Sequence, residues 1–317
     1  MAGWKRWSRR GGFLVVSVSI VGLVLFSMRR PLGPDSWNLR EVSLDHNSQE
    51  QHQGTGASTP LRLAVWNIHG GKGIDRHLNL DRTASFLAGF DLVGLNEVQG
   101  GFPLELPLFE TGDQARLLGS RLSVNGRFLP YETRYGRPHF GNGVLCRRKL
   151  TAGIVAPLPH SRVKGHGNVS VLSLPAWGGV VRVMLTHIDH RQDRRQQLEY
   201  VINWFRGLEA PCVLMGDLNT RADDPLLTPL LEDRSVVDAL GELSLDADIA
   251  ANRIDWLLAR GLRVVRAGRE MTDASDHPLL WAEFLPRQPI QLAGSLSRIQ
   301  QGGVQGMSAE DLGTVGR

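Results

Sequence analysis

The sequence predicts an α/β fold in which two sheets pack on each other and helices cover their outer faces. The main observation is that helical and strand-like patterns alternate in both halves of residues 61–286, as they do in layered α/β folds. An apolar content of 42% is enough for a sizeable core. No internal repeat at a fixed short period interrupts this pattern.

The first 28 residues predict a membrane anchor. Residues 1–10 form a basic cytoplasmic head, and residues 11–28 are uncharged and would span roughly 27 Å as a helix, close to the thickness of a bilayer core. Four basic residues precede this run and two follow it, a bias that keeps the N-terminus in the cytoplasm and the rest of the chain on the extracytoplasmic side. A cleavable signal peptide is the alternative, but it usually has a shorter apolar region and a small-residue cleavage site. We therefore predict a single-pass signal anchor, followed by a flexible tether over residues 29–60.

The elements of the domain follow in order between residues 61 and 286. Helical spacing in LDRTASFLAGF and DRRQQLEYVINWFRGL predicts two helices, and a third is predicted near DPLLTPLLE. The turn PAWGG between NVSVLSL and VVRVMLTHI predicts a hairpin. The other predicted strands are LRLAVWNI, DLVGLNEV, RFLPYETR, FGNGVLCRR, CVLMGDLN, RIDWLLA and HPLLWAEF. Residues 287–317 show little apolar periodicity and are predicted to be a disordered tail.

Basic charge is concentrated at the N-terminus. The net charge is +4, but six of the 36 basic residues lie in residues 1–30, which contain no acidic residue. The rest of the chain therefore carries 30 basic and 32 acidic residues. Such a balance argues against nonspecific binding of nucleic acid, which favours a basic surface.

The two cysteines, Cys146 and Cys212, form no metal-binding pattern. One disulfide between them is an option. Cys212 lies in an apolar strand, however, which favours a buried free thiol.

The stretch VLMGDLN combines a strand with a polar ending. The residues Val213–Met215 predict a short buried strand, and Gly216 is expected to break it. Asp217 and Asn219 follow at i and i+2, and in extended backbone these positions face the same way. A simple turn is the alternative, because Asp and Asn are favoured turn residues.

Other predicted strands also begin or end in residues suited to phosphate and metal chemistry. One such residue alone is usually a capping or turn group, but a series of them indicates a site where strand ends converge. The series consists of Asn67, Glu97, His187, Asp217, Asn219, Asp255, Asp276 and His277.

These residues and their order resemble the endonuclease/exonuclease/phosphatase superfamily, which includes deoxyribonucleases, sphingomyelinases and inositol polyphosphate 5-phosphatases. The resemblance covers nearly all of residues 61–286 and rests on Asn67, Glu97, His187 and the segments GDLN, RIDW and SDH. It implies a four-layer α/β/β/α sandwich that hydrolyses phosphate esters with Mg²⁺, or with Mn²⁺ as an alternative.

The resemblance and the chemistry of hard cations together predict the metal site. Mg²⁺ prefers oxygen ligands and keeps several waters, so one or two carboxylates suffice. Glu97 is the best ligand, Asp276 is second, and Asn67 supports them. Asp217 is predicted to hold or deprotonate the attacking water, and Asn219 to orient water or phosphate.

The histidines are predicted to act on the phosphate. His277 is expected to be oriented by Asp255, although a salt bridge between Asp255 and Arg253 is an alternative. His187 is expected to bond the phosphate or protonate the leaving group. The alternative is a structural histidine whose hydrogen bonds are made within the sheet. Asn142 in FGNGVL is predicted to line the substrate site, with a turn asparagine as the alternative.

One position departs from the family pattern. Asn96 precedes Glu97, where the family commonly has Gln. The shorter amide leaves its hydrogen-bond partner open, but it does not affect the metal ligands.

The location and charge of the domain favour a lipid head group or other small phosphoester as the substrate. We therefore predict a membrane-tethered, Mg²⁺-dependent phosphodiesterase or phosphomonoesterase, and we expect a monomer. An extracytoplasmic nuclease is the alternative. A non-catalytic binding module on the same fold is a third reading, but a binder need not keep a general base and its orienting partner.

Overall fold

Two seven-stranded mixed sheets form the centre of the domain. The computed structural model describes residues 30–31, 40–41, 59–101, 113–134, 136–161, 166–241, 243 and 245–287. In chain order, its strands are β1 (Arg30–Pro31), β2 (Arg40–Glu41), β3 (Leu61–Asn67), β4 (Leu92–Gln99), β5 (Asn125–Arg134), β6 (Arg137–Cys146), β7 (Ala152–Pro157), β8 (Asn168–Ala176), β9 (Gly179–His187), β10 (Cys212–Asp217), β11 (Val236–Asp238), β12 (Asp255–Arg260), β13 (Leu262–Glu270) and β14 (Leu279–Pro286).

The first sheet combines strands from the start of the domain with its last two strands, and the second sheet consists mainly of strands from its middle. The first sheet has the order β1-β5-β6-β4-β3-β14-β13, and the second has the order β11-β12-β10-β9-β8-β7-β2. Strands β3 and β4 are parallel, as are β9 and β10, and the other pairs are antiparallel. The helices are α1 (Leu80–Ser85), α2 (Gln114–Leu122), α3 (Arg194–Gly207), α4 (Thr228–Leu231) and α5 (Ala247–Asn252), and a 3-10 turn covers His69–Gly71.

An apolar layer lies between the two sheets. Alternate residues of a strand face opposite sides, so Leu63 and Val65 of β3 point to this layer together with Val213 and Met215 of β10. The alternate residues Ala64 and Trp66 face the helices instead. This alternation confirms the predicted packing of two sheets.

The outer faces of both sheets are covered by helices. On the first sheet, α1 and α2 pack against the face that carries Trp66. On the second sheet, α3 buries one apolar stripe, as its helical spacing predicts. The stripe consists of Leu198, Val201, Ile202 and Phe205.

Several elements differ from the predictions. Strands β7, β11 and β13 and helices α2 and α5 were not predicted, and β13 is an edge strand whose mixed exposure hides the strand pattern. Gly216 was expected to break its strand, but β10 continues to Asp217. Gly216 has φ 147°, and any side chain there would collide with the carbonyl of Thr186 on β9. Glycine therefore permits close approach of two strands at this point rather than ending one of them.

The predicted anchor over residues 11–28 and the tail after residue 287 lie outside the described residues. No helix within the described ranges is long and apolar enough to cross a membrane. The short strands β1 and β2 fall inside the segment predicted as a flexible tether. They pair with β5 and β7 at the edges of the two sheets.

Candidate active site

The predicted site residues meet at one end of the sandwich. In the second sheet, Asp217 at the end of β10 lies opposite His187 of β9 and opposite Asp255 of β12. In the first sheet, Asn67 at the end of β3 lies opposite Asn96 of β4. Parallel neighbours deliver their carboxyl ends to the same edge, so both sheets contribute polar groups to one place.

Asp217 is at the centre of this cluster. Its side chain is 2% exposed, and its Oδ2 accepts a hydrogen bond from Asn67 Nδ2 at 3.2 Å. The same oxygen lies 3.5 Å from His187 Nε2 and 3.8 Å from His277 Nδ1. The other oxygen accepts the backbone N–H of Asn219 at 2.8 Å. One buried carboxylate thus contacts four of the predicted site residues.

His277 and Asp255 form a hydrogen-bonded pair. His277 Nδ1 lies 3.0 Å from Asp255 Oδ2. The other ring nitrogen, Nε2, is therefore not used in this contact. Burial lowers the pKa of His277, but the hydrogen bond to Asp255 and the carboxylates of Asp255, Asp217 and Asp276 outweigh it and raise the pKa to about 9. Burial raises the pKa of Asp255, and its bond to His277 opposes that rise. The ring is therefore held in one orientation and carries a proton at neutral pH.

Arg253 does not pair with Asp255, the partner that the alternative interpretation gave it. Its guanidinium forms an ion pair with Asp238 and lies over the ring of Trp256, 3.9 Å from the ring centroid. The salt bridge between Asp255 and Arg253 is thus not formed. Asp255 is left to act on His277.

Two contacts attach the loop that carries Asp276 and His277 to β3. Ser275 donates its hydroxyl to the carbonyl of Asn67 at 2.6 Å. Trp66 donates its indole N–H to the carbonyl of His277 at 2.9 Å. These bonds bring a loop from the C-terminal part of the chain to the first strand of the domain.

The predicted metal ligands occupy the more open side of the cluster. Glu97 is half-buried, and its Oε1 accepts from Asn67 Nδ2 at 3.1 Å. The Asp276 side chain is 53% exposed, and its Oδ1 lies 3.2 Å from His69 Nδ1. Both carboxylates are accessible to solvent and offer hard oxygen donors, the ligand type that Mg²⁺ prefers.

The backbone at Glu97 is unusual. Glu97 has φ 58°, and the pairing of β4 with β6 is irregular between Leu95 and Val98. This bulge turns the Glu97 side chain out of the regular alternation of the strand. The strand therefore bends at the residue predicted as the main metal ligand.

A second group of potential ligands consists of Asp217, Asp255 and His277, whose ligand atoms lie within 4.8 Å of one another. The hydrogen bond between His277 Nδ1 and Asp255 explains this closeness without a metal. A hard cation also prefers oxygen donors with access to water, which Glu97 and Asp276 offer.

His187 and Asn219 lie together beside Asp217. Asn219 Nδ2 is 3.3 Å from His187 Nε2 and donates to the carbonyl of Ile188 at 2.7 Å. None of the described residues hydrogen-bonds the buried Nδ1 of His187. Asn219 has φ 44°, so the extended backbone that we expected has already ended. Asp217 and Asn219 reach the same histidine because Asp217 holds the turn closed.

Three buried asparagines connect the two sheets below the site. Asn142 donates to Asn168 at 2.8 Å, and Asn96 donates to Asn142 at 2.8 Å and to the carbonyl of Thr186 at 3.0 Å. Asn96 Oδ1 then accepts the backbone N–H of Asp217 at 3.0 Å. Strands β8, β6, β4 and β10 are joined by this amide chain.

The amide chain revises one prediction and adds two residues. Asn142 was predicted to line the substrate site, but its side chain is fully buried and bonded to Asn96 and Asn168. It lies below the site rather than at its surface. Asn96 and Asn168 were not predicted as site residues, although the unusual amide before Glu97 pointed to Asn96.

Comparison with known proteins adds independent findings. Residues 64–277 match the model of the Endonuclease/Exonuclease/phosphatase family. No curated protein matches the chain.

Solved structures similar to this chain share its fold. An endonuclease/exonuclease/phosphatase from Beutenbergia cavernae DSM 12333 has a TM-score of 0.57 at 22% identity, covering 73% of this chain and 72% of that one. A functionally unknown conserved protein from Enterococcus faecalis V583 has a TM-score of 0.54 at 14% identity, covering 72% and 100%. The human Nocturnin catalytic domain with bound sulfate has a TM-score of 0.52 at 19% identity, covering 80% and 98%.

Proposed function

Because the chain belongs to the endonuclease/exonuclease/phosphatase family, we propose that it is a membrane-tethered, Mg²⁺-dependent phosphodiesterase for a lipid head group or other small phosphoester. Metal-dependent hydrolysis of phosphoester bonds is the activity of the family. The observation that carries the proposal is the buried Asp217 carboxylate, which lies within 3.8 Å of Asn67, His187 and His277. This carboxylate can take a proton from a water that attacks phosphorus.

We assign the metal to Glu97 and Asp276, with Asn67 in support, and Mn²⁺ as an alternative to Mg²⁺. Bound there, the ion would draw charge from a phosphate oxygen and stabilise the leaving oxygen. The two carboxylates need only be accessible and close to the phosphate. The half-buried Glu97 and the exposed Asp276 are both accessible, which supports this assignment.

The remaining residues act on water and phosphate. Asp217 accepts the proton of the attacking water while the bond from phosphorus to the leaving oxygen breaks. Asn219 orients the water or the phosphate. The protonated His277, fixed by Asp255, donates from Nε2 to a phosphate oxygen and stabilises the charge that develops there. His187 binds the phosphate or protonates the leaving oxygen.

The choice of substrate rests on charge and location. Outside residues 1–30 the chain has 30 basic and 32 acidic residues, which gives little attraction to a polyanion. The apolar run over residues 11–28 would hold the domain beside a bilayer. The sulfate bound by the human Nocturnin domain, a tetrahedral anion like phosphate, is consistent with a phosphoester in the same fold.

A nuclease is the second candidate, because the family includes nucleases by name. It would act outside the cytoplasm if the anchor has the predicted orientation. A binding module without catalysis is less well supported. A site that only binds does not need a general base or an oriented histidine, and the hydrogen bond to Asp255 orients His277 here.

The predicted topology is a single pass with the N-terminus in the cytoplasm and the domain on the extracytoplasmic side. The protein should therefore stay in the membrane fraction after carbonate washing. A protease that cannot cross the membrane should cut the domain in intact cells. Release by the wash, or full protection from the protease, would contradict this topology.

A side-by-side assay tests the activity. The full chain, purified in detergent, is incubated with Mg²⁺ and with phospholipids, sphingomyelin, plasmid DNA, a soluble phosphodiester and a soluble phosphomonoester. We expect the highest kcat/KM with a lipid or the soluble diester, and none with the matched Asp217→Asn variant. A preference for plasmid DNA would favour the nuclease, and inactivity on every substrate would favour the binding module.

A further inference from the structure

Large exposed apolar side chains are concentrated beside the active site. Five such side chains occur in the described part of the chain. The three most exposed are Ile74 (67%), Met271 (56%) and Leu78 (47%), and they lie on two neighbouring loops. Single exposed apolar residues are ordinary on protein surfaces, whereas a concentration of them indicates an interaction site.

The two loops form one structural unit. The backbone N–H of Ile74 donates to the carbonyl of Asp273 at 3.0 Å, which joins the loop of Ile74 and Leu78 to the loop of Met271. Arg82 binds both carboxylate oxygens of Asp75 at 2.9 Å and lies 3.5 Å from Asp273. The apolar side chains are therefore presented to solvent by loops with fixed backbones.

These loops adjoin the predicted metal ligands. The first loop follows directly after Asn67 and the turn His69–Gly71, and the second ends at Ser275 and Asp276. His69 and Asp276 connect them again through the contact of 3.2 Å. Whatever covers the apolar side chains therefore contacts the loops that carry His69 and Asp276.

We propose that Ile74, Leu78 and Met271 form a docking surface for a lipid bilayer, which holds the domain with its active site facing the lipid head groups. This inference rests on the proposed function, because it gives the lipid substrate a route to the site. Apolar side chains at loop tips gain free energy by entering the boundary between head groups and acyl chains.

The charges around the surface favour a bilayer as the occupant. Lys72 and Arg76 are exposed on the same loop, and neither has an ion-pair partner within the described ranges. The acidic residues Asp75 and Asp273 are both within reach of Arg82, and Glu270, next to Met271, accepts a hydrogen bond from the indole of Trp281. Free cations beside apolar tips match phosphate head groups above acyl chains. A nucleic acid would gain from the cations alone.

The test uses a fluorescent label that senses lipid. The full chain carries Ile74→Cys or Met271→Cys, is labelled on the new thiol, and is mixed with phosphatidylcholine–phosphatidylglycerol vesicles that contain brominated lipid. The native Cys146 and Cys212 are buried, and burial raises their pKa to about 12 and about 11, so they do not compete for the label. The matched control is Val265→Cys, on an exposed apolar residue of the edge strand β13.

We expect brominated lipid to quench the label at positions 74 and 271 and to leave the label at position 265 unchanged. Equal quenching at all three positions, or none at 74 and 271, would overturn the docking surface. A response of these labels to duplex DNA instead of vesicles would also overturn it and favour the nuclease. This measurement needs no hydrolysis, so it can fail or succeed independently of the proposed activity.

A kinetic comparison gives the second readout. The rate on a vesicle-embedded phosphodiester is divided by the rate on a soluble one. Removing one inserted apolar side chain in Ile74→Asp should lower this ratio by about tenfold. Val265→Asp should change it less than about twofold. An unchanged ratio in Ile74→Asp would contradict the proposal.

Discussion

The two sides of the active site differ in their contact with water. On one side, Asp217 and Asp255 are buried, and each has a histidine within 4 Å. On the other side, Glu97 is half-buried and Asp276 is 53% exposed. The buried side belongs mainly to the second sheet and the open side to the first.

This difference separates two kinds of chemistry. Proton transfer needs groups whose charges and orientations are fixed before the substrate arrives, and burial with hydrogen bonds provides this. A hard cation needs carboxylates that water can still reach, because it keeps part of its hydration. The comparison predicts that substitutions on the two sides will lower activity in different ways.

The largest effect should come from the open side. Exhaustive removal of divalent metal should abolish hydrolysis, and Glu97→Gln should lose the metal-dependent rate while the domain stays folded, because one charged oxygen ligand is gone. The measurement is hydrolysis as a function of Mg²⁺ and Mn²⁺ concentration, with folding followed by circular dichroism. Full activity after chelation would show that the open side does not bind a required metal.

On the buried side, Asp217→Asn and His277→Ala should each lower single-turnover hydrolysis at saturating Mg²⁺ by at least about 10², on the order of 2.7 kcal/mol in the barrier. The loss should not be rescued by more metal, in contrast to changes that weaken metal binding. Rescue of either variant at high Mg²⁺ would erase the distinction between the two sides.

Asp255→Asn should have a smaller effect than His277→Ala, because Asp255 acts through the ring. The double variant should be little worse than His277→Ala alone, since the orienting role disappears with the ring. Single-turnover rates of the four proteins complete the cycle. If the two effects multiply, Asp255 and His277 act independently and the pair is not a unit.

The smallest expected effect on rate concerns the amide chain below the site. Asn96→Ala leaves the backbone N–H of Asp217 unpaired and should lower the free energy of unfolding by about 1–3 kcal/mol and turnover by about tenfold. Asn168→Ala is the matched control, because Asn168 lies at the other end of the hydrogen-bonded amide chain. It should lower stability similarly but change turnover less, as urea unfolding and kcat would reveal. Equal losses of turnover in the two variants would mean that the amide chain stabilises the fold and has no separate effect on the active site.

The sequence predicted much of the fold because the central strands are nearly continuous apolar runs that end in polar residues. Glu97 and Asp217 were recognisable because a carboxylate after an apolar strand is unusual. Strand β13 was missed because an edge strand does not need a continuous apolar face. Which of its residues are exposed depends on the strands and helices packed beside it, and the local sequence does not reveal these neighbours.

The parts of the site that were not predicted depend on tertiary contacts. Asn142 lies between two glycines, which is typical of a turn, but the structure buries it between Asn96 and Asn168. Gly216 has the composition of a strand breaker, and only the closeness of β9 shows why it continues the strand. The roles of the metal ligands and histidines stay predictions.

The left-handed backbone of Glu97 has a consequence for the evolution of this protein. A non-glycine residue at φ 58° is held there against its own preference, at a cost of order 1–3 kcal/mol. Glu97→Gly would relieve that strain and, in the same step, remove a carboxylate from the site. If Glu97 binds the metal as proposed, catalysis and thermal tolerance compete for one backbone angle, because glycine would suit that angle but could not bind the ion.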